Sequence, residues 1–161
     1  AVLLGGGMSS RMFIRIREKL GLAYAVGSSH ETYSNRWYLT TYAGVDHKNV
    51  EQTIKEILKE YKSLCEKIVS AKELKRVKDY IRGTTLIGLE QSNAMASFIG
   101  GEEMVTGKPM TVDEVFARID RVTEDELCAV AKEIMTPEKL NLAMIGPFRE
   151  KEKFEKLLRE F

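Results

Sequence analysis

Arg17 and Tyr24 are the two residues whose types and spacing best suit work at a carbonyl group. A guanidinium offers five N–H donors in a fixed fork, and a phenol offers an O–H that donates or accepts. Such donors, held in place before reaction, steady the charge that develops on a carbonyl oxygen, or clamp a peptide carbonyl. Seven residues of straight helix would put the two side chains on one side, two turns apart. The intervening "EKLGLA" changes this: Gly21 redirects the backbone, so both side chains can converge where helix becomes strand. The same spacing also fits a bland arrangement, with Arg17 a surface cation and Tyr24 packed in a hairpin.

The surrounding elements must hold the pair. Ala1 to Leu4 reads as the tail of a longer apolar element, stopped at Gly5-Gly6-Gly7, so the chain is expected to be N-terminally incomplete. Ser9 and Ser10 can cap a helix from Ser10 to Leu20, closed by Gly21. Its apolar stripe is Met12, Phe13, Ile16 and Leu20, while Arg11, Arg15, Glu18 and Lys19 read as solvated. A glycine turn feeding a serine cap could also cluster free N–H groups into an anion-binding nest. Two β-rich runs follow, Ala23 to Tyr33 and Arg36 to Val45, around the turn pair Ser34-Asn35. The hairpin aromatics Tyr24, Tyr33, Trp37, Tyr38 and Tyr42 read as packing residues rather than a stacking platform.

Downstream the chain is mostly helical. Asp46 caps a helix to about Val69; Ser70 with Glu73 starts another, to about Leu89 or beyond. "EQSNAMASFIGGEEMVTGKP" is expected to stay helical to Ile99 and break at Gly100-Gly101. Thr111 with Glu114 and Thr123 with Glu126 begin helices over Val112 to Asp120 and Glu124 to Met135. Lys139 to Ile145 reads as a strand, and Glu150 to Glu160 as an amphipathic helix with Phe154, Leu157, Leu158 and Phe161 on one side. Helices outnumber strands and do not alternate with them singly, which predicts α+β: a mixed or antiparallel sheet with helices packed on one face, in a single domain over residues 1–161.

Composition narrows the chemistry. With 25 basic and 24 acidic residues the net charge is +1, without the basic excess that nucleic acid or a polybasic membrane contact requires. No apolar run approaches the length of a membrane span. Cys65 and Cys128 fall on apolar helical positions and read as free thiols in a reducing, cytoplasmic compartment. His30 and His47 are the two histidines, and neither sits in a His-x-x-Glu-His or His-Glu-x-x-His frame, so no metal ligand is assigned in this chain. There is no nucleophile elbow, no Walker lysine and no Cys-x-x-Cys pair.

The stretch "LGGGMSSRMFIRIREKLGLAYAV" resembles the signature of the C-terminal, non-zinc domain of the pitrilysin/insulinase (M16) metallopeptidases. Later segments agree in order, including "GVDHKNVEQTIKEILKEY", "SAKELKRVKDYIRGTTLIGLEQSNAMASFIGGEEMVTG" and "RIDRVTEDELCAVAKEIMTPEKLNLAMIGP". The resemblance implies two homologous α+β domains facing each other. One carries zinc on a His-x-x-Glu-His motif and hydrolyses peptide bonds with zinc-activated water. The other is metal-free and sends an Arg and a Tyr toward the substrate; by position these match Arg17 and Tyr24. It further implies that the zinc motif lies on a partner or missing domain, and that the domain's usual leading strands are missing upstream of Ala1, leaving an exposed sheet edge that could join copies of the chain. Independently of the resemblance, the hairpin edge next to Tyr24 could bind a peptide substrate as an added strand along Ala23, Ala25 and Val26. The alternative within the same fold is a non-catalytic assembly subunit, like the core subunits of respiratory complexes.

Overall fold

The alternating β-branched and aromatic residues after Ala23 form an antiparallel hairpin, and the amphipathic segments around it form helices. The structure is a computed structural model that describes residues 1–33 and 35–161; Ser34, half of the expected turn pair, lies outside the described residues. In chain order the elements are α1 (Val2–Gly5), a π-helical segment (Phe13–Lys19), β1 (Ala23–Thr32), β2 (Trp37–Val45), a 3-10 turn (His47–Asn49), α2 (Val50–Glu66), α3 (Ala71–Gly88), α4 (Ser92–Thr106), α5 (Val112–Arg121), α6 (Glu124–Ile134), a second 3-10 turn (Pro137–Lys139) and α7 (Lys151–Arg159). The fold is α+β, with a two-stranded antiparallel sheet. The chain divides into two units, Ala1–Val69 with Asp125–Phe161, and Ser70–Glu124.

In the first unit, Leu3, Leu4, Met12, Ile16, Leu22, Ala23 and Val26 are buried around the inner face of the hairpin. At the start of α2, Val50 and Ile54 pack with Phe154 and Leu157 of α7, joined by Val45, Leu58, Met144 and Phe148. Lys153 fastens the same two helices through Glu51 at 2.7 Å. Cys65 and Cys128 are both free thiols, and Cys128 Sγ donates to the Cys65 carbonyl at 3.4 Å. Burial pushes the Cys65 thiol above its ordinary range.

In the second unit, two of the caps read from sequence are formed. Ser70 Oγ accepts from the Glu73 N–H at 3.2 Å, and Thr111 with Glu114 makes a reciprocal capping box. Lys78 Nζ donates to the carbonyls of Asp120 and Val122, satisfying the open end of α5. Arg82 bonds Asp120 at 2.7 Å and lies over the Phe116 ring.

Several expectations need correction. Lys139 to Ile145 is not a strand: beyond the 3-10 turn it runs irregularly, because among the described residues no strand lies beside it to complete a ladder. Helix α4 does not break at Gly100-Gly101. Each glycine costs only about 1 kcal/mol relative to alanine, and the chain stops instead at Gly107, whose φ of 66° turns its N–H back onto the Glu103 carbonyl. The preceding break falls at Leu89–Gln91. Helix α2 ends at Glu66 rather than Val69. Arg11 and Arg15 are half-buried and paired with Glu60 and Glu56, not solvated.

Candidate functional site

Gly5 sets the site's foundation. A Cβ at this residue would stand 2.2 Å from the Ser28 nitrogen and 2.6 Å from the Gly27 carbonyl carbon, so only glycine lets α1 lie against β1 this closely. The glycine run therefore serves packing. It forms no anion nest: among the described residues only Gly21 and Gly107 have positive φ, and the N–H groups of Gly5, Gly6 and Ser10 are spent on the carbonyls of Ala1, Val2 and Gly7.

The helix expected from Ser10 to Leu20 is π-helical over Phe13–Lys19, which sequence periodicity does not distinguish from an α-helix. Leu20 N–H reaches five residues back to Arg15, and Leu22 N–H six back to Ile16. In such a widened turn, residues four apart lie nearly above one another, and three rows result. Met12 and Ile16 are fully buried. Arg11 and Arg15 face α2, where Arg15 Nε donates to Glu56 at 2.6 Å and Arg11 approaches Glu60 at 4.0 Å. The bond from Arg15 holds the Glu56 carboxyl below its ordinary range. Phe13 and Arg17 form the third row.

Beyond this segment Gly21 adopts φ 59° and turns the chain into β1. The register slips between Ala23, opposite Val45, and Ala25, opposite Gly44, leaving Tyr24 as the extra residue of a β-bulge. Bulges re-aim side chains, and Tyr24 points outward, 80% exposed. The Arg17 guanidinium carbon lies 4.2 Å from the Tyr24 ring centroid and 4.7 Å from that of Phe13. The cation is thus held between two rings. Among the described residues Arg17 has no carboxylate partner and the Tyr24 hydroxyl no hydrogen bond, so both polar heads are available to a third group. Phe13 is the member of the site that sequence reading assigned only to the core stripe; its four-residue spacing from Arg17 was the available signal.

The residues expected to flank a peptide divide. Ala25 is exposed, whereas the Ala23 and Val26 side chains face the interior. On the inner face Ser28 and Thr41 bond across the strands at 2.7 Å, and Tyr61 of α2 donates to Thr41 at 2.6 Å. Burial raises the Tyr61 phenol above its ordinary value. The hairpin aromatics are not packing residues: Tyr24, Tyr33, Trp37, Tyr38 and Tyr42 are all about half exposed or more. Alternation sets which residues share a face, but not which face is covered.

Zinc is the metal the resemblance raises, and these residues do not fit it. Among the described residues no group of three or more His, Cys, Asp or Glu could hold a metal ion. His47 lies edge-on to Phe148, and His30 is exposed on β1. Among the described residues no helix is long and apolar enough to cross a membrane.

Residues 1–81, half of the chain and all of the Arg17–Tyr24 site, match the profile described as the peptidase M16 inactive domain. An uncharacterised zinc protease of Streptomyces coelicolor is 36% identical over 149 residues, covering 92% of this chain and 32% of the relative. The uncharacterised zinc protease YmxG of Bacillus subtilis is 34% identical over 145 residues, covering 90% and 35%. Among solved structures, a conserved protein from Enterococcus faecalis V583 superposes with a TM-score of 0.71 at 30% identity, covering 81% of this chain and 30% of that one. The chain spans about a third of the length of these relatives. The profile match, the order of elements and the superposed fold agree: this chain belongs to the peptidase M16 inactive-domain family.

Proposed function

We propose that this chain, as one domain over residues 1–161, is the metal-free half of an M16-type zinc peptidase and that Arg17 and Tyr24 meet the peptide substrate. The observation that supports this reading is the outward-facing stack of the two side chains, with neither polar head committed to a partner among the described residues. Tyr24 Oη donates to the carbonyl oxygen of the bond to be cut, or to a backbone group beside it, as charge develops. Arg17 grips the substrate backbone and fixes the Tyr24 ring. The β1 backbone beside the bulge offers an edge for an extended peptide near Ala23, Ala25 and Val26. Zinc and the residues that hold it belong to a partner domain or subunit carrying His-x-x-Glu-His, and bond cleavage is assigned there. The free thiols Cys65 and Cys128 support a cytoplasmic, reducing setting.

The test is reconstitution with the zinc-bearing half, followed by peptide cleavage with and without Tyr24→Phe. Loss of one preorganised donor lowers turnover about 10²–10³-fold. Turnover within a factor of two of the parent removes the contact.

A further inference from the structure

Arg17 lies over Tyr24 on a helical segment wound wider than an α-helix. The segment begins with an α-type bond, from the Ile14 N–H to the Ser10 carbonyl at 3.0 Å. It ends with longer reaches, from the Leu20 N–H to Arg15 at 3.2 Å and from the Leu22 N–H to Ile16 at 2.9 Å. Such a π-type turn holds one residue more than its α-helical alternative, and it is the rarer winding. Closing it would turn the end of the segment against its start by one residue's rotation, about 100°. Arg17 lies inside the wide turn and would swing with it, away from the Tyr24 ring. Some contact must therefore hold the turn open.

Arg15 is fixed from two directions. Its main-chain carbonyl accepts the Leu20 N–H, the five-residue bond of the wide turn. Its side chain leaves the segment for α2, where Nε donates to Glu56 Oε2 at 2.6 Å, a short, charge-assisted bond. The Glu56 side chain is the more enclosed partner, 15% exposed against 34% for Arg15. Arg11 approaches Glu60 of α2 at 4.0 Å. The two pairs make a ladder between the segment and α2, with Arg15 at the end nearer Arg17. Met12 and Ile16 are buried, but apolar burial is non-directional and does not select one winding over another. The Arg15 bond is directional, sits at the wide turn itself and lies two residues from Arg17. Lys59 is a further cation whose charge reaches Glu56, but it belongs to α2 and ties the segment to nothing.

We infer that Arg15 is a positioning residue: its bond to Glu56 holds the π-helical turn open and so keeps the Arg17 guanidinium on the ring of Tyr24. The consequence for substrate rests on the proposed role of Arg17 and Tyr24, whereas the consequence for the stack stands apart from it.

The experiment follows the Arg17 side-chain resonances in the assembled peptidase, with arginine isotope-labelled in this chain and Arg17→Lys identifying the signals by their loss. In the parent, the Phe13 and Tyr24 rings shift these signals upfield. Arg15→Met and Glu56→Leu are each expected to remove most of that shift and to raise KM several-fold, as Arg17→Lys does. The double variant should match either single one, because the two residues act as a unit. Glu56→Gln keeps an acceptor and should keep most of the shift. Glu51→Gln weakens the Lys55 and Lys153 links on the same helix and controls for a general loss of stability. It should lower the melting temperature and leave both the Arg17 signals and KM at parent values. Thermal melts confirm that each variant is folded; where Arg15→Met is not, Glu56→Leu decides by the same signals. An unchanged shift in folded Arg15→Met or Glu56→Leu, additive losses in the double variant, or an equal loss of shift in Glu51→Gln overturns the inference. A lost shift with KM unchanged in both Arg15→Met and Arg17→Lys upholds the positioning role and removes the substrate contact. A raised KM in Arg17→Lys beside an intact shift in Arg15→Met does the reverse.

Discussion

The guanidinium of Arg17 stands 4.2 Å over the ring of Tyr24, although the two are seven positions apart, with the end of a π-helical segment and a left-handed glycine between them. The stack uses the ring and leaves the hydroxyl outside. Tyr24→Phe therefore keeps the geometry and deletes only the donor. Turnover of the assembled peptidase is expected to drop about 10²–10³-fold, with stability unchanged to within about 0.5 kcal/mol, as for other exposed substitutions. Steady-state kinetics beside a denaturant titration check both halves.

Arg17→Lys keeps the charge and loses the planar fork that lies between Phe13 and Tyr24. KM is expected to rise several-fold, consistent with a cation–π contribution of about 0.5–2 kcal/mol. Phe13→Leu should show a smaller change in the same direction, and Phe13→Tyr should restore the parent value. A rise in KM for Phe13→Leu that Phe13→Tyr fails to reverse would separate Phe13 from the site.

Gly5→Ala drives a methyl group into the backbone at Ser28, which cannot move aside as a side-chain tip can. Destabilisation of about 1–3 kcal/mol or more is expected, measurable by denaturant unfolding. In contrast, Gly100→Ala and Gly101→Ala meet nothing within 4 Å and sit inside an exposed helix. Each should stabilise by about 0.5–1 kcal/mol.

Glu51 accepts from Lys153 and Lys55, and these bonds hold its carboxyl down to about 2, against an ordinary value of 4.5. The folded form binds its proton less readily than the unfolded chain. The resulting stability is fully present above about pH 4.5 and is lost as pH falls toward 2. Thermal melts between pH 5 and pH 2 should fall more steeply for the parent than for Glu51→Gln, and the two curves should converge at the acid end. Parallel curves would remove the contribution.

What the sequence disclosed was local. The Ser70 and Thr111 caps depend on groups within three residues, and both form; Asp46 caps the 3-10 turn His47–Asn49 rather than the long helix, which starts behind Asn49 without a side-chain cap. The hairpin followed from alternation, and convergence of Arg17 with Tyr24 followed from one glycine. What it concealed was tertiary. Lys139 to Ile145 has strand composition, but a strand exists only beside another. The tyrosines alternate as a half-buried strand does, and nothing in that period says which face receives α1 and α2. The π-helical turn shifts hydrogen bonds by one residue, below the resolution of a periodicity argument.

Beneath the sheet, the hydroxyls of Ser28, Thr41 and Tyr61 form a chain from both strands into α2. That chain acts as a dowel. Sliding β2 by a single residue would unseat it and swap that strand's side chains to the opposite surface, drawing Tyr38 and Tyr42 inward. Three inward-facing hydroxyls thus fix what the hairpin displays to solvent.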